Sequence, residues 1–428
     1  MQKRVLTKAI ALAVATLGSG AAFAQSSLTI YGNIDVGFDH VKRTQGDPAG
    51  GSLSTKLSTN RVGPDLSSQS SLGFRGTEDL GDGMKAGFVL EGQVGADNGA
   101  LLRDGRMFGR QAFASVTTPY GEVRIGRQYA PIFFSSALVT SERFGATDLY
   151  LEGGLTNNMN IRWDNTITYS AQVGAFRGQL GYSPQAGVGP ITNANRGATA
   201  SAAAGSILGG NNSAASNENS AGRGRSLGAF GAYSADALTV TLGYSQTNMG
   251  NSSLNLGTGV ATSATTGLAT ATYLGDMDKY RVWNLGAKYE LKELGLQFNG
   301  AFGRATYDFN TIGAAGLAFD LPSRLNVSSL VLGTRYNIGS LGFLAQWSET
   351  KFRNGPRSKD NGYSLGIEYS LSKRTTLYSR YYMVKDKDGG PDVLFGASGV
   401  REVPVAAGAG ISPDGKTTLI GVGVRHSF

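Results

Sequence analysis

The chain has 428 residues, among them 63 glycines, 11 prolines and no cysteine; it is 40% hydrophobic and carries a formal charge of +8. Without cysteine there is no disulfide framework, thiolate metal site or cysteine nucleophile. After the first 24 residues no segment holds the roughly 18 apolar residues of a spanning helix, so any membrane crossing must use strands.

Residues 1–24 read as a secretory leader that is expected to be cleaved. Lys3, Arg4 and Lys8 form its positive start, Ala9–Leu17 its apolar centre, and Ala22-Phe23-Ala24 a small-residue cleavage site. Removing it leaves 36 basic against 31 acidic residues. Residues 25–428 are expected to form one domain.

That domain reads as about sixteen segments of alternating polarity. In Leu28–Phe38, Leu28, Ile30, Ile34, Val36 and Phe38 share one face, and Thr29, Tyr31, Asn33 and Asp35 the other. The pattern returns where Leu238, Val240, Leu242 and Tyr244 oppose Thr239, Thr241, Gly243 and Ser245, and again where Trp283, Leu285, Ala287 and Tyr289 oppose Asn284, Gly286 and Lys288. Short turns rich in Gly, Asn, Asp and Ser, such as 78–83, 234–237 and 337–340, alternate with long connections near 185–224, 247–279, 304–326 and 385–416. Soluble domains rarely carry so many long loops, whereas a membrane barrel has tight turns at one end and large loops at the other. No helical period is evident. Aromatic residues recur near both ends of the segments, as interfacial girdles require.

The chain ends on TTLIGVGVRHSF, in which Thr418, Ile420, Val422, Val424, His426 and Phe428 share a face. An apolar strand ending on Phe428 would be an aggregation-prone edge in water. Closing a barrel in lipid removes that edge. The sequence therefore predicts an all-β fold, a transmembrane antiparallel β-barrel. By parity Arg75, Lys85, Glu91, Arg177, Lys288, Arg335, Glu368, Arg380 and Arg425 face its lumen, giving a net positive wall. Pairing of some of these charges across the wall is the competing role.

Five stretches, SLTIYGNIDVG (27–37), SSLGFRGTEDLGDG (70–83), FGRQAFASVTTP (108–119), GEVRIGRQY (121–129) and the terminal GVGVRHSF, resemble the general porins of Gram-negative outer membranes, in their β-proteobacterial branch. The resemblance runs along essentially the whole chain after the leader. It implies a sixteen-stranded barrel with short periplasmic turns, long outer loops and a third loop folded into the pore. It also implies a homotrimer in contact with outer-membrane lipid and lipopolysaccharide, and a terminal Phe428 read by the barrel-assembly machinery. The third loop would span about 128–160 and carry Glu142, Asp148 and Glu152, opposite a wall ladder of arginines. Arg110 and Arg162 match ladder positions by motif, with Arg75 and Arg127 as further candidates. Many relatives have an arginine where this chain has Ser71, which leaves the ladder one charge short. Alternation around Phe113 admits either face.

Catalysis finds no support. The two histidines, His40 and His426, stand outside any nucleophile motif of the G-x-S-x-G kind and read as structural. No ligand spacing recommends a metal site, and no cofactor is implied. Basic residues are spread through the strands, against nucleic-acid binding. The reading is an outer-membrane channel for passive diffusion of ions and small hydrophilic solutes, with a mild preference for anions. A channel with a saturable solute site and a surface adhesin or receptor barrel are the competing readings.

Overall fold

In the computed structural model the described residues are 27–45, 55–64, 66–101, 106–140, 162–186, 224–261, 269–313, 324–353, 358–387 and 416–428. The leader and the acids Glu142, Asp148 and Glu152 lie outside them.

Among these described residues seventeen strands form one sheet. They are β1 (Ser27–Gln45), β2 (Thr55–Pro64), β3 (Ser71–Gly81), β4 (Met84–Gln93), β5 (Gln111–Thr118), β6 (Gly121–Tyr129), β7 (Arg162–Val173), β8 (Phe176–Ser183), β9 (Ser226–Ala235), β10 (Leu238–Ala261), β11 (Ala269–Leu291), β12 (Leu296–Gly313), β13 (Arg324–Ile338), β14 (Leu341–Arg353), β15 (Ser358–Ser370), β16 (Thr375–Lys387) and β17 (Lys416–Ser427). All pairings are antiparallel, and each strand pairs with the next in the chain except β2 and β3, which both pair with β1. The circle closes between β1 and β17, from Asn33 opposite Ser427 to Thr44 opposite Lys416. The terminal Phe428 continues the ladder, exchanging backbone hydrogen bonds of 3.1 and 3.2 Å with Gly32. Pairing the first strand with the last removes the two long edges that an open sheet would expose.

The wall nevertheless has sixteen positions. β2 and β3 share one edge of β1: β2 pairs with its outer half, Val36 to Gln45, and β3 with its inner half, Ser27 to Asn33. Between them residues 66–70 leave the wall and turn into the lumen.

The two faces separate as the alternation predicts. Leu28 and Ile30 are 69% and 58% exposed, while Asp35 and Asp39 are fully buried. Apolar side chains therefore point outward all round the barrel, far beyond the patch a soluble monomer tolerates, and acyl chains are the solvent that makes this arrangement stable. Phe113 is buried inside the barrel and Ala114 lies outside, which settles the face of β5.

Two expectations are corrected. Residues 247–279 and 304–326 were expected as loops, but β10 and β11 are 24 and 23 residues long, and β12 continues to Gly313. They pair well beyond the 9–11 residues that cross a bilayer. A helix also exists: α1 (Pro131–Ala137) follows β6 after the single residue Ala130, with Pro131 at its first turn, where a missing N–H costs nothing.

The helix lies inside the barrel against β8, β9, β10 and β11. Lumen-facing glycines make its seat. A Cβ on Gly181 or Gly228 would come within 2.9 Å of Pro131 or Trp163, and one on Gly243 or Gly286 would collide with Ser135 or Val139. The Thr241 hydroxyl donates to the Ser135 carbonyl at 2.7 Å and pins the helix to β10.

Candidate functional site

The start of the third loop and the inward strap of residues 66–70 meet at one group of charges. Arg110, just before β5, is held by its own N–H on the Glu91 carbonyl at 3.0 Å. Its guanidinium donates to the Glu91 carboxylate, to the Gln69 side-chain carbonyl, and to Tyr129 Oη at 2.9 Å. Arg162, the first residue of β7, donates to the same Tyr129 Oη at 2.6 Å and to Gln69 Oε1 at 3.4 Å, with its guanidinium 4.3 Å from the tyrosine ring centre. The two motif-assigned arginines are thus brought together on one tyrosine and one amide. Neither Tyr129 nor Gln69 was singled out from the sequence.

Arg127 and Arg75 belong to the surroundings. Arg127 is buried and donates to Asp164 and, at 2.8 Å, to the Gly109 carbonyl. Asp164 also takes a two-pronged contact from Arg106 at 2.9 and 3.0 Å. Arg75 is exposed to the lumen, its guanidinium 5.2 Å from the ring centre of Tyr31, which donates to Glu91 at 2.8 Å. Phe133 of α1 stacks on Tyr129 at 4.0 Å, so the helix braces the tyrosine that both arginines share.

The strap carries a second group. Ser67 Oγ accepts from Arg380 at 3.1 Å and from Arg425 at 3.2 Å. Glu368 receives Arg380 and, at 2.6 Å, Arg335, with Arg425 at 3.9 Å. Ser67 and Gln69, two residues apart, therefore join two arginine groups on opposite sides of the strap. Asp35 anchors it from below. Its carboxylate accepts from Leu66 N at 3.3 Å, Ser68 N at 2.8 Å, Ser68 Oγ at 3.2 Å and the Tyr378 hydroxyl. Leu66 is fully buried against the space above Gly37 and Gly421, and its carbonyl accepts from Tyr382 at 3.2 Å.

Charge can be tallied over this lumen network. Arg75, Arg106, Arg110, Arg127, Arg162, Arg335, Arg380 and Arg425 face four carboxylates, Asp35, Glu91, Asp164 and Glu368. Other lumen charges form pairs, such as Arg61 with Asp39 at 2.8 Å and Lys288 with Glu290 at 2.8 Å. Some wall charges do pair, as the competing role had it, yet among the described residues of this network positive charge stays in excess. The two histidines take part in cross-strand hydrogen bonds, His40 with Asn60 and Ser58, and His426 with Thr375.

Known proteins share this architecture. A family model described as Gram-negative porin matches residues 9–389. Outer membrane porin protein 32 of Delftia acidovorans is 30% identical over 98% of this chain and 99% of its own. Among solved structures, the anion-selective porin from Comamonas acidovorans superposes with a TM-score of 0.62 at 24% identity, over 94% of this chain and 100% of that one. The trimer form of OmpT from Vibrio cholerae gives a TM-score of 0.55 at 12% identity, over 94% and 99%. A closed wall that turns its apolar face to lipid and its charges to a watery lumen is built for passive diffusion across the outer membrane, and the chain belongs to the Gram-negative porin family.

Proposed function

We propose that this porin passes small hydrophilic solutes with a mild preference for anions, set at the strap and the base of the third loop. One observation carries the reading: eight arginines against four carboxylates among the described residues of the lumen network. Such a surplus lowers the energy of a passing anion through the local field, with no tight site and no catalytic step. Arg110 and Arg162 are proposed as the wall residues of the constriction, with Arg75 and Arg127 as further members. Glu142, Asp148 and Glu152 of the third loop are proposed as the facing acids. The anion selectivity named for the Comamonas relative supports the same sign.

The active form is proposed to be a homotrimer, as the OmpT relative is described. Strands β3 to β6 run only 8 to 11 residues, a low wall suited to a neighbouring subunit. Residues 1–24 are proposed to be removed on export, leaving 25–428 as one barrel among outer-membrane lipid and lipopolysaccharide. Planar-bilayer recording under a salt gradient tests pore and assembly together. The expected result is a reversal potential of anion sign and conductance arriving in groups of three equal steps. A cation sign overturns the selectivity, and single independent steps overturn the trimer.

Phe428 is proposed as the signal for the assembly machinery. Its ring sits over Gly32 on the outer face of the closing seam, where no lumen contact needs it. Phe428→Ala is expected to lower the amount of folded porin in outer membranes while purified protein still refolds in detergent. Equal membrane levels would remove Phe428 from that role.

A further inference from the structure

The start of the third loop carries a run of aromatic rings that charge alone does not account for. Phe133 stacks on Tyr129 at 4.0 Å, Phe134 meets Phe133 edge-on at 5.4 Å, and Phe134 reaches Phe230 of β9 at 6.0 Å. The wall side of α1 is filled by Pro131, Ile132 and Ser135, which are buried. Phe133 and Phe134 lie on the other side of the helix and are only half-buried, so their rings face the channel. Bracing Tyr129 explains Phe133. It does not explain a second phenyl ring turned to a watery lumen, where apolar surface is unfavourable.

A guanidinium stands at each end of the run. Arg162 lies 4.3 Å from the ring centre of Tyr129, and Arg177 of β8 lies 5.8 Å from that of Phe134. Arg162 begins β7 at the third-loop end, whereas Arg177 follows the short turn between β7 and β8. The rings therefore lead from the proposed constriction toward the short-turn mouth of the pore. Arg177 is exposed, and among the described residues it has neither an ion pair nor a hydrogen bond. A guanidinium laid over a ring keeps its N–H donors, which lie in its own plane, open to a carboxylate.

We infer that this run is a binding track for aromatic carboxylates, small acids such as benzoate in which a ring carries the anion. The carboxylate passes from Arg110 and Arg162 to Arg177 while the ring moves over Phe133 and Phe134. The track rests on the anion-preferring reading above and narrows it to one solute class. Acetate engages the arginines and leaves the rings idle. A neutral aromatic alcohol engages the rings and leaves Arg177 without a counter-charge.

The test is planar-bilayer recording of the full-length porin in potassium chloride with benzoate, acetate or benzyl alcohol added. The reversal potential under a salt gradient is read on the same membranes. Benzoate is expected to lower the chloride current saturably, with a half-effect concentration about tenfold below that of acetate or benzyl alcohol. Arg177→Gln is expected to raise the benzoate value about tenfold, and Arg177→Lys, which keeps the charge but not the planar fork, to recover part of that loss. Phe134→Leu, which stays apolar and removes the ring, is expected to raise it about fivefold. Benzoate and acetate acting at equal concentrations overturns the track. An unchanged benzoate value in Phe134→Leu does the same, since Arg177 then acts by its charge alone. Either failure, with the reversal potential still of anion sign, leaves the selectivity reading standing; a cation sign overturns that reading and the track together. Should Phe134→Leu lose its folded electrophoretic band, Arg177→Gln decides, and an equal shift for benzoate and acetate in that variant overturns the track.

Discussion

Replacing Arg110 and Arg162 together by glutamine is expected to cut the anion-to-cation permeability ratio severalfold, and Arg110 to account for the larger part. The difference follows from their partners. Arg162 shares Tyr129 and Gln69 with its neighbour, whereas Arg110 also neutralises Glu91. Removing Arg110 therefore deletes one positive charge and uncovers one negative charge on the same wall. A unit charge about 8 Å from a passing ion is worth about 0.5 kcal/mol in bulk water and about 2 kcal/mol at an effective dielectric near 20. Those limits bracket a change of about twofold to thirtyfold in the permeability of one ion for each charge, and the anion-to-cation ratio moves by the square of it because the two ions respond with opposite sign, with a wet pore toward the lower end. Two comparisons make the argument specific. Arg110→Gln combined with Glu91→Gln should recover part of the lost selectivity, and all differences should shrink in 1 M salt, where the screening length falls to about 3 Å. An unchanged reversal potential in the double arginine variant would remove both residues from the ion path.

How much of this was visible in the sequence depends on where the solvent changes. Where lipid lies on one side and water on the other, alternation is strict, as in Leu238–Ser245, and the strand can be read directly. Past the bilayer both faces of a strand meet water, and the selection for alternation ends although the hydrogen-bond ladder continues. For that reason 247–261 and 269–279 read as loop while β10 and β11 pair there, as Val260 does with Thr270. The helix α1 escaped notice because seven residues are too few to show a 3.6-residue period. Its signal was local instead, a proline two residues after the strand's last residue, Tyr129.

The site was legible in its charges and illegible in what organises them. Arg110 and Arg162 could be placed by motif, because a guanidinium in a barrel lumen has few other uses. Gln69 and Tyr129 could not, since a neutral amide and an aromatic residue in a strand-rich chain have bland explanations as well. The strap left one trace: Ser67 to Ser71 interrupts the alternation between two clear strands, with a glutamine inside a run of serines. Small hydroxyl and amide groups suit a backbone that has left its ladder, because they supply the hydrogen bonds the neighbouring strand no longer gives. The glycines seating α1 were equally mute. Gly243 and Gly286 look like any other small lumen residue until the helix is seen to occupy the space their missing side chains leave.

The strap also yields the largest expected effect on the pore itself. Asp35 is fully buried and holds four donors: the Leu66 and Ser68 amides, the Ser68 hydroxyl and the Tyr378 hydroxyl. Asp35→Ala strands all four. A buried donor left unsatisfied costs about 1–3 kcal/mol, but the lumen is wet, and the cheaper outcome is for the strap to lift and let water in. Leu66 would then leave its seat over Gly37 and Gly421, and Gln69 would no longer hold Arg110 and Arg162 on Tyr129. The expected record is a larger and noisier unit conductance, with weaker anion preference and a lower temperature for loss of the folded electrophoretic band. Tyr378→Phe removes a single donor and leaves the carboxylate three others, so its effect should be much smaller in every readout. The contrast between the two variants is what matters. If Asp35→Ala leaves conductance and noise at wild-type values, the strap is held by its other contacts, those of Asn33, Arg110, Arg162, Arg380, Arg425 and Tyr382 among them, and the carboxylate beneath it has no part in setting the width of the channel.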